Sequence, residues 1–209
     1  MAHGQRPAKA GVIASRRTRP RLVTLATASP RRHALFRAFG LPHRIVVPRV
    51  VEVHDPRLAP VDVVKHNALL KARAVARRTT TGVIVAADTL VVCGGRLFGK
   101  PRNRADAKRM LRSLSGRTHH VYTGVCVLDL DRQRTSLDVA VTAVTIRRLS
   151  TFAIKRYLRE SVHHDKAGAY AIQDTHGMLI DRLHGSLSNV VGLPLHVLER
   201  RLRDCGFPV

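Results

Sequence analysis

The chain has 209 residues, 44% of them hydrophobic, and its 37 Lys and Arg against 14 Asp and Glu give a formal net charge of +23. This length is enough for one sizeable hydrophobic core, and the lack of any apolar run approaching roughly 20 residues excludes a membrane-spanning helix. So positive a chain is expected to meet an anionic partner, which could be nucleic acid, an anionic membrane surface or a small phosphorylated molecule.

The first 20 residues are predicted to form a disordered basic tail. They show no apolar periodicity, they contain Arg16-Arg17-Thr18-Arg19, and the first acidic residue of the chain is Glu52. A segment of this composition cannot bury enough apolar surface to fold. An organelle transit peptide is the alternative, because such peptides are also rich in Arg and poor in acids. One folded domain is predicted over residues 21–209.

The rest of the chain alternates between strand-like and helix-like segments. Runs of β-branched residues predict strands, apolar residues spaced by three and four predict amphipathic helices, and Ser29-Pro30, Asn103 and Ser150 are helix N-terminal signals. The predicted elements, in chain order, are a strand at 22–27, a helix at 30–40, a strand at 44–48, a helix at 60–78, a strand at 83–92 that turns at Gly94-Gly95, a helix at 104–114, strands at 118–130 and 136–147, and helices at 151–159 and 194–202. This interleaving predicts an α/β fold with a mixed, strongly bent sheet flanked by helices in two lobes.

Asp88 lies in the middle of the apolar run from Val83 to Val92. An ionised carboxylate in a strand that is covered on both faces is costly unless a metal, a proton partner or a ligand offsets it. A carboxylate held in such a place is a candidate functional group. The alternative is that Asp88 caps the end of a strand in a turn.

A phosphate-binding site is predicted where the first strand runs into the first helix. Ser29, Arg31 and Arg32 stand at the start of this helix. Unpaired backbone N–H groups, the positive end of the helix dipole, a hydroxyl and two guanidinium groups would converge there.

Two carboxylates and several cations are predicted to share one cleft. Glu52 is expected near the end of the second strand, Lys71 on the following helix, and Lys100 beyond the hairpin, close to Asp88. This combination suits a metal complex of a triphosphate, because carboxylates hold Mg²⁺ while Lys and Arg neutralise phosphate oxygens. Taken singly, residues such as Glu52 and Lys71 are more often solvated surface charges.

Gln173 ends a polar, Gly-containing segment, 165–173, which is predicted to be a loop that enters a strand. Its amide both donates and accepts, and so it could read the edge of a nucleobase or tie down the loop. A turn-rich segment follows at 185–194. Three cysteines, Cys93, Cys126 and Cys205, lack metal-ligand spacing and are predicted to be buried thiols in a reducing, intracellular compartment.

Several sequence motifs, taken together and in order, resemble the Maf (septum-formation protein) family. Each motif alone is common, but eight in register over residues 21–202 are far more specific. They are LATASPRR at 25–32, KA at 71–72, ADT at 87–89, GKP at 99–101, LSGRTH at 114–119, VYTG at 121–124, KAGAYAIQ at 166–173 and NVVGLP at 189–194.

The resemblance implies a nucleoside triphosphate pyrophosphatase that cuts between the α and β phosphates. It also implies a fold similar to the inosine triphosphate pyrophosphatases, a divalent cation (Mg²⁺ or Mn²⁺), a cytoplasmic location and a homodimer, with no membrane and no specific nucleic acid as partner. The ending Ile172-Gln173 is similar to the branch that acts on dTTP and UTP, whereas the branch that acts on 7-methyl-GTP tends to have Glu at that position.

The resemblance also implies roles for single residues. Asp88 would accept the proton of the attacking water, and Glu52 would help Asp88 to hold the metal. The residues implied to bind substrate are Ser29, Arg31, Arg32, Lys71 and Lys100 for the phosphates, and Arg31, Thr89 and Gln173 for the base.

Two other classes of function stay open on the sequence. A nucleic-acid-binding protein would explain the charge of +23, and it predicts salt-sensitive binding that survives deletion of residues 1–20. A non-enzymatic regulator of cell division would keep the fold without turnover.

Overall fold

The structure is a computed structural model that describes residues 22–161, 166–174, 178–207 and 209. The predicted basic tail and residue 21 lie outside the described residues. Within these ranges the strands are β1 Val23–Ala26, β2 His43–Val46, β3 Val83–Cys93, β4 Arg96–Phe98, β5 Thr118–Asp129, β6 Arg134–Ile146 and β7 Ile180–His184. The helices are α1 Pro30–Ala38, α2 Pro60–Ala76, α3 Arg104–Leu114, α4 Thr151–Glu160, α5 Leu187–Val191 and α6 Leu195–Asp204, with single 3₁₀ turns at Ala167–Ala169 and Ile172–Asp174.

All described strands belong to one mixed sheet, and this confirms the predicted fold class. The strand order is β2-β1-β3-β5-β6-β7, and β4 pairs with β3 outside this path. Strands β2, β1 and β3 are parallel because α1 and α2 carry the chain back between them. The remaining neighbours pair antiparallel: tight turns join β3 to β4 and β5 to β6, whereas α3 lies between β4 and β5 and α4 lies between β6 and β7.

The helices cover the sheet on both faces. On one face α1 and α6 pack on one end of the long strands, around Phe36, Val85 and Leu198. Helices α3 and α4 pack on the other end, around Val91 and Tyr157. These two cores form the two lobes, and α2 covers the opposite face of the sheet.

The predicted helix starts are confirmed by their hydrogen bonds. Ser29, Asn103 and Ser150 each accept a backbone N–H from the third following residue, and Pro30 stands at the first position of α1. The three cysteines are buried, as predicted. No helix in the described ranges is long and apolar enough to cross a bilayer.

Three local predictions were wrong. The segment 166–174 forms 3₁₀ turns instead of entering a strand, because Gly168 and Ala169 have positive φ angles of 73° and 63°. Glu52 does not end a strand: β2 stops at Val46, before Pro48, which has no N–H to donate to a ladder. The segment 185–194 contains the short helix α5, which is capped by Ser186 and ends at Gly192 with φ 113°.

Candidate active site

One cavity of about 780 Å³ opens where the two lobes meet over the middle of the sheet. Its lining includes the β1–α1 connection and residues 166–167 and 170–173. All nine predicted site residues line this cavity: Ser29, Arg31, Arg32, Glu52, Lys71, Asp88, Thr89, Lys100 and Gln173. The structure therefore brings together residues that come from six separate parts of the chain.

Asp88 stands in the interior of β3, opposite Gly124 of β5, and it is only 3% exposed. The alternative that it caps a strand end is therefore wrong. Its Oδ1 accepts a hydrogen bond from Lys71 Nζ at 2.6 Å, and Lys71 Nζ also lies 3.0 Å from Glu52 Oε1. One buried ammonium thus joins the two carboxylates that the sequence places 36 residues apart.

Burial opposes the ionisation of Asp88, but the surrounding groups outweigh it. The charge and hydrogen bond of Lys71, the charge of Arg32 and the hydrogen bond from Asn67 together hold the pKa of Asp88 below its ordinary value. Asp88 is accordingly a carboxylate at neutral pH. Burial lowers the pKa of the Arg32 guanidinium, partly offset by Asp88 and Glu52, and Arg32 stays charged near neutral pH.

Asn67 makes three hydrogen bonds beside this carboxylate. Its Nδ2 donates to Asp88 Oδ2 at 3.0 Å and to the carbonyl of Val53 at 2.9 Å, while its Oδ1 accepts the Val53 N–H at 2.9 Å. Asn67 lies four residues before Lys71 on α2, so both side chains stand on the same face of the helix.

The start of α1 forms the predicted anion-binding corner. The Ser29 hydroxyl accepts the Arg32 N–H at 3.4 Å, and Thr27 Oγ1 accepts the Ser29 N–H at 3.0 Å. These caps hold the first turn of the helix against the cavity, with no acidic residue in that turn. The positive end of the helix dipole therefore faces the space beside Asp88.

A directed chain of hydrogen bonds leads away from Arg32. Its Nη2 donates to Thr89 Oγ1 at 2.9 Å, Thr89 Oγ1 lies 3.0 Å from Thr123 Oγ1, and Thr123 Oγ1 donates to the Asn189 carbonyl at 3.2 Å. A guanidinium can only donate and a carbonyl can only accept. When all three hydrogen bonds form at once, Thr123 donates to the Asn189 carbonyl and the Thr89 hydrogen points at Thr123, so that Thr89 offers the cavity no free O–H donor.

Further polar groups complete the wall. Lys100 and Gln173 are exposed at the cavity, and Lys166, which the sequence analysis gave no role, is 5% exposed and lines it. Tyr170 also lines the cavity, and its Oη lies 2.6 Å from Nε2 of the fully buried His119. The Nδ1 of His119 has no hydrogen-bond partner among the described residues.

The two carboxylates are chemically suited to a divalent cation. Asp88 and Glu52 already contact one common cation, the Lys71 ammonium, and hard carboxylate oxygens are the ligands that Mg²⁺ prefers. No group of three or more His, Cys, Asp or Glu side chains suited to a metal occurs in the described part of the chain. Two protein ligands suffice for Mg²⁺, because it keeps several waters and takes phosphate oxygens.

Sequence reasoning missed Asn67 and Thr123. Asn67 occupies a position on the buried face of α2 where an apolar residue is usual, and this polar exception was a usable signal. Thr123 stands in the motif VYTG at 121–124, but its residue type alone indicates no role, because threonine is common in strands.

Comparison with known proteins places these residues in context. A sequence model of the family described as "Maf-like protein" matches residues 22–205. The chain is 46% identical over 187 residues to a "dTTP/UTP pyrophosphatase" of Moorella thermoacetica, which covers 90% of this chain and 96% of the relative. It is 39% identical over 186 residues to a "dTTP/UTP pyrophosphatase" of Dictyoglomus thermophilum, with 88% and 96% covered.

Solved structures with the same fold are much more distant in sequence. The Ham1 protein of Staphylococcus aureus superposes with a TM-score of 0.52 at 14% identity and covers 88% of this chain and 98% of its own. A HAM1 protein from Coxiella burnetii gives 0.51 at 16% identity, with 88% and 100% covered. These similarities concern the fold alone.

Proposed function

The chain belongs to the Maf-like protein family, and we propose that it is a nucleoside triphosphate pyrophosphatase that hydrolyses dTTP and UTP to the nucleoside monophosphate and diphosphate. The relatives that cover nine-tenths of this chain carry that activity in their names. The observation that carries the proposal is the ionised, buried Asp88 in a cavity lined by Arg and Lys. A triphosphate brings the negative charge for which this cavity has an excess of cations.

The reaction needs a water molecule that attacks the α-phosphorus. The new bond joins the water oxygen to the α-phosphorus, the bond from that phosphorus to the α–β bridging oxygen breaks, and diphosphate leaves with the electron pair. Asp88 accepts the proton that the water loses. The negative charge of a bound triphosphate raises the proton affinity of Asp88 and so makes it a better base than in the free protein.

The cations are assigned to the phosphate chain. Arg31, Arg32, Lys71 and Lys100 neutralise charge that develops on the leaving diphosphate, and the positive end of the α1 dipole at Ser29 adds to this effect. Thr89 and Gln173 contact the base, together with Arg31. Because Thr89 has no free O–H donor, it acts on the base through its methyl group or its remaining acceptor lone pair.

Asp88 and Glu52 are the residues that would hold a Mg²⁺ or Mn²⁺ ion. When bound, the ion would offset negative charge on the phosphate oxygens. The homodimer and the cytoplasmic location that the resemblance implies belong to the same proposal. Light scattering on the purified protein measures the first, and fractionation of the source cell measures the second.

A panel of nucleotides tests the function. The protein is incubated with each canonical ribo- and deoxyribonucleoside triphosphate, with Mg²⁺ or Mn²⁺, and released diphosphate and monophosphate are separated by chromatography. We expect dTTP and UTP to give diphosphate and monophosphate in equal amounts. Release of orthophosphate, or no release from any nucleotide, would contradict the proposal.

A further inference from the structure

We propose that Asn67 is a positioning residue that assembles the carboxylate pair Glu52 and Asp88 before any ligand binds. For its catalytic meaning this inference rests on the proposed function. The geometry behind the inference does not depend on that function. The Asn67 side chain contacts both β3, which carries Asp88, and the segment that carries Glu52.

The carboxamide of Asn67 is fully used in this position. Its residue is 0% exposed, both N–H groups donate, and the oxygen accepts the Val53 N–H. The amide nitrogen faces two acceptors, Asp88 Oδ2 and the Val53 carbonyl, and the amide oxygen faces one donor, the Val53 N–H. These partners fix the orientation of the amide. No other side chain of this size offers two donors and an acceptor in one plane.

The segment that carries Glu52 has no regular secondary structure to hold it. Residues 47–55 lie between β2 and α2, and Val51, next to Glu52, is 91% exposed. Asn67 contacts the backbone of Val53 with the donor and acceptor pattern of a neighbouring strand. Asn67 thereby fixes Val53, the residue after Glu52, to the buried face of α2.

The contacts of Asn67 affect how far apart the carboxylates of Glu52 and Asp88 lie. Asn67 and Lys71 each bond one oxygen of Asp88, and Lys71 also reaches Glu52. Asn67 holds the backbone of Val53, the residue after Glu52, whereas Lys71 supplies a charge that a cation can replace. The position of Glu52 relative to Asp88 is therefore set by Asn67 and not by the ion that the pair would bind.

Hydrogen exchange and kinetics test this role in the full chain. In Asn67→Ala we expect the Val53 amide to exchange at least about tenfold faster, and kcat on dTTP to fall about tenfold or more while KM changes less than about threefold. Asn67→Asp keeps an acceptor for the Val53 N–H but cannot donate to Asp88. It should therefore keep slow exchange at Val53 and still lose kcat.

A matched control separates positioning from loss of stability. Asn103 also bonds a backbone N–H through its side chain, but at the start of α3 and outside the cavity. Asn103→Ala should lower the midpoint of thermal unfolding and leave both Val53 exchange and kcat at the folded temperature unchanged. If Asn67→Ala fails to fold, Asn67→Ser, which keeps a polar group in a smaller volume, replaces it.

Binding of Mn²⁺ alone, followed by electron paramagnetic resonance, gives a readout that needs no turnover. We expect the Mn²⁺ dissociation constant to rise at least about fivefold in Asn67→Ala and to stay unchanged in Asn103→Ala. Unchanged Val53 exchange and unchanged Mn²⁺ binding in Asn67→Ala would overturn the inference. If wild-type protein hydrolyses no nucleotide, the proposed function fails, while exchange and Mn²⁺ binding still decide the role of Asn67.

Discussion

The hydrogen-bond network places the Thr89 hydroxyl as donor to Thr123 and the Thr123 hydroxyl as donor to the Asn189 carbonyl. Arg32 donates at one end of this series of hydrogen bonds, and the Asn189 carbonyl accepts at the other. A substitution of Thr123, in the middle of this series of hydrogen bonds, therefore changes the hydrogen bonding of Thr89 without altering the cavity wall, since Thr123 is 0% exposed.

Thr123→Val should change base selection. Valine has the shape of threonine but cannot accept from Thr89, and so the Thr89 hydroxyl becomes free to donate into the cavity. We expect the ratio of kcat/KM for dTTP to that for another nucleoside triphosphate to change at least about threefold. Thr123→Ser keeps the hydroxyl and should keep the wild-type ratio. Equal ratios in all three proteins would show that Thr89 does not act through its hydroxyl direction.

Asp88→Asn should remove most turnover and leave the protein folded. An amide cannot accept the water proton, and loss of a general base typically costs about 100- to 10,000-fold in rate. Lys71 keeps Glu52 as a partner, and this limits the loss of stability. Diphosphate release measures the rate and circular dichroism measures the fold. Wild-type activity in Asp88→Asn would refute the assignment of Asp88 as base.

Gln173→Glu should lower the use of dTTP and UTP relative to other nucleotides. The exposed Gln173 amide both donates and accepts at the cavity, whereas a carboxylate only accepts. The nucleotide panel, run on both proteins side by side, measures the relative rates. If those rates do not move, Gln173 has no part in selecting the base.

At the level of elements, Gly124 sets how closely α2 approaches the sheet. A Cβ at this position would lie 2.4 Å from the Val64 carbonyl oxygen and 2.6 Å from its carbon. Both are backbone atoms and cannot rotate away. The helix that carries Asn67 and Lys71 therefore reaches Asp88 because the residue opposite Asp88 has no side chain.

Gly124→Ala should destabilise the protein by about 1–3 kcal/mol, because α2 must shift away from β5. Gly99→Ala is the control for stability, since a Cβ there meets nothing within 4 Å. Denaturant unfolding compares the two variants with the wild type. Equal unfolding free energies in Gly124→Ala and Gly99→Ala would mean that the helix adjusts freely.

Most elements could be predicted from the sequence, but the contacts between them could not. The capping residues and the periodicity of α2 are local signals, and they located those helices to within two residues at most ends. Lys71 was predicted to bind phosphate, yet it lies between two carboxylates. That contact depends on which strand α2 packs against and on the path of residues 47–55, and neither is encoded in a local pattern.

For the whole molecule, a buried histidine makes stability depend on pH. Burial, assisted by the charge of His120, lowers the pKa of His119 to about 4. An unfolded chain takes up a proton at His119 below its ordinary pKa of about 6.5, whereas the folded protein does so only near the lowered value. Stability is therefore lost as the pH falls through this window, by roughly 3 kcal/mol in total.

His119→Gln should flatten this dependence. Glutamine does not titrate, and so the free energy of unfolding should change less between pH 6.5 and pH 4 than in the wild type, even if it is lower at pH 7. Urea unfolding at a series of pH values measures both curves. Parallel curves would show that His119 does not cause the loss.

Below this window Asp106 and Asp138, whose pKa values are lowered in the folded state, add a further loss of stability as they become protonated.

The charge of +23 is only partly explained by the cavity. Five of the 37 Lys and Arg residues, Arg31, Arg32, Lys71, Lys100 and Lys166, line the cavity, and so most of the positive charge of the chain lies outside it. Binding of nucleic acid by the protein surface stays a prediction, which salt-dependent binding before and after deletion of residues 1–20 would test.

Strand β3 has a consequence for how the molecule comes apart. Its residues contribute to the cores of both lobes and to the packing of α2 on the opposite face, and Asp88 stands between these contributions. Neither lobe can unfold without exposing the half of β3 that it covers. We therefore expect the two lobes to unfold together, so that turnover and circular dichroism are lost in the same thermal transition.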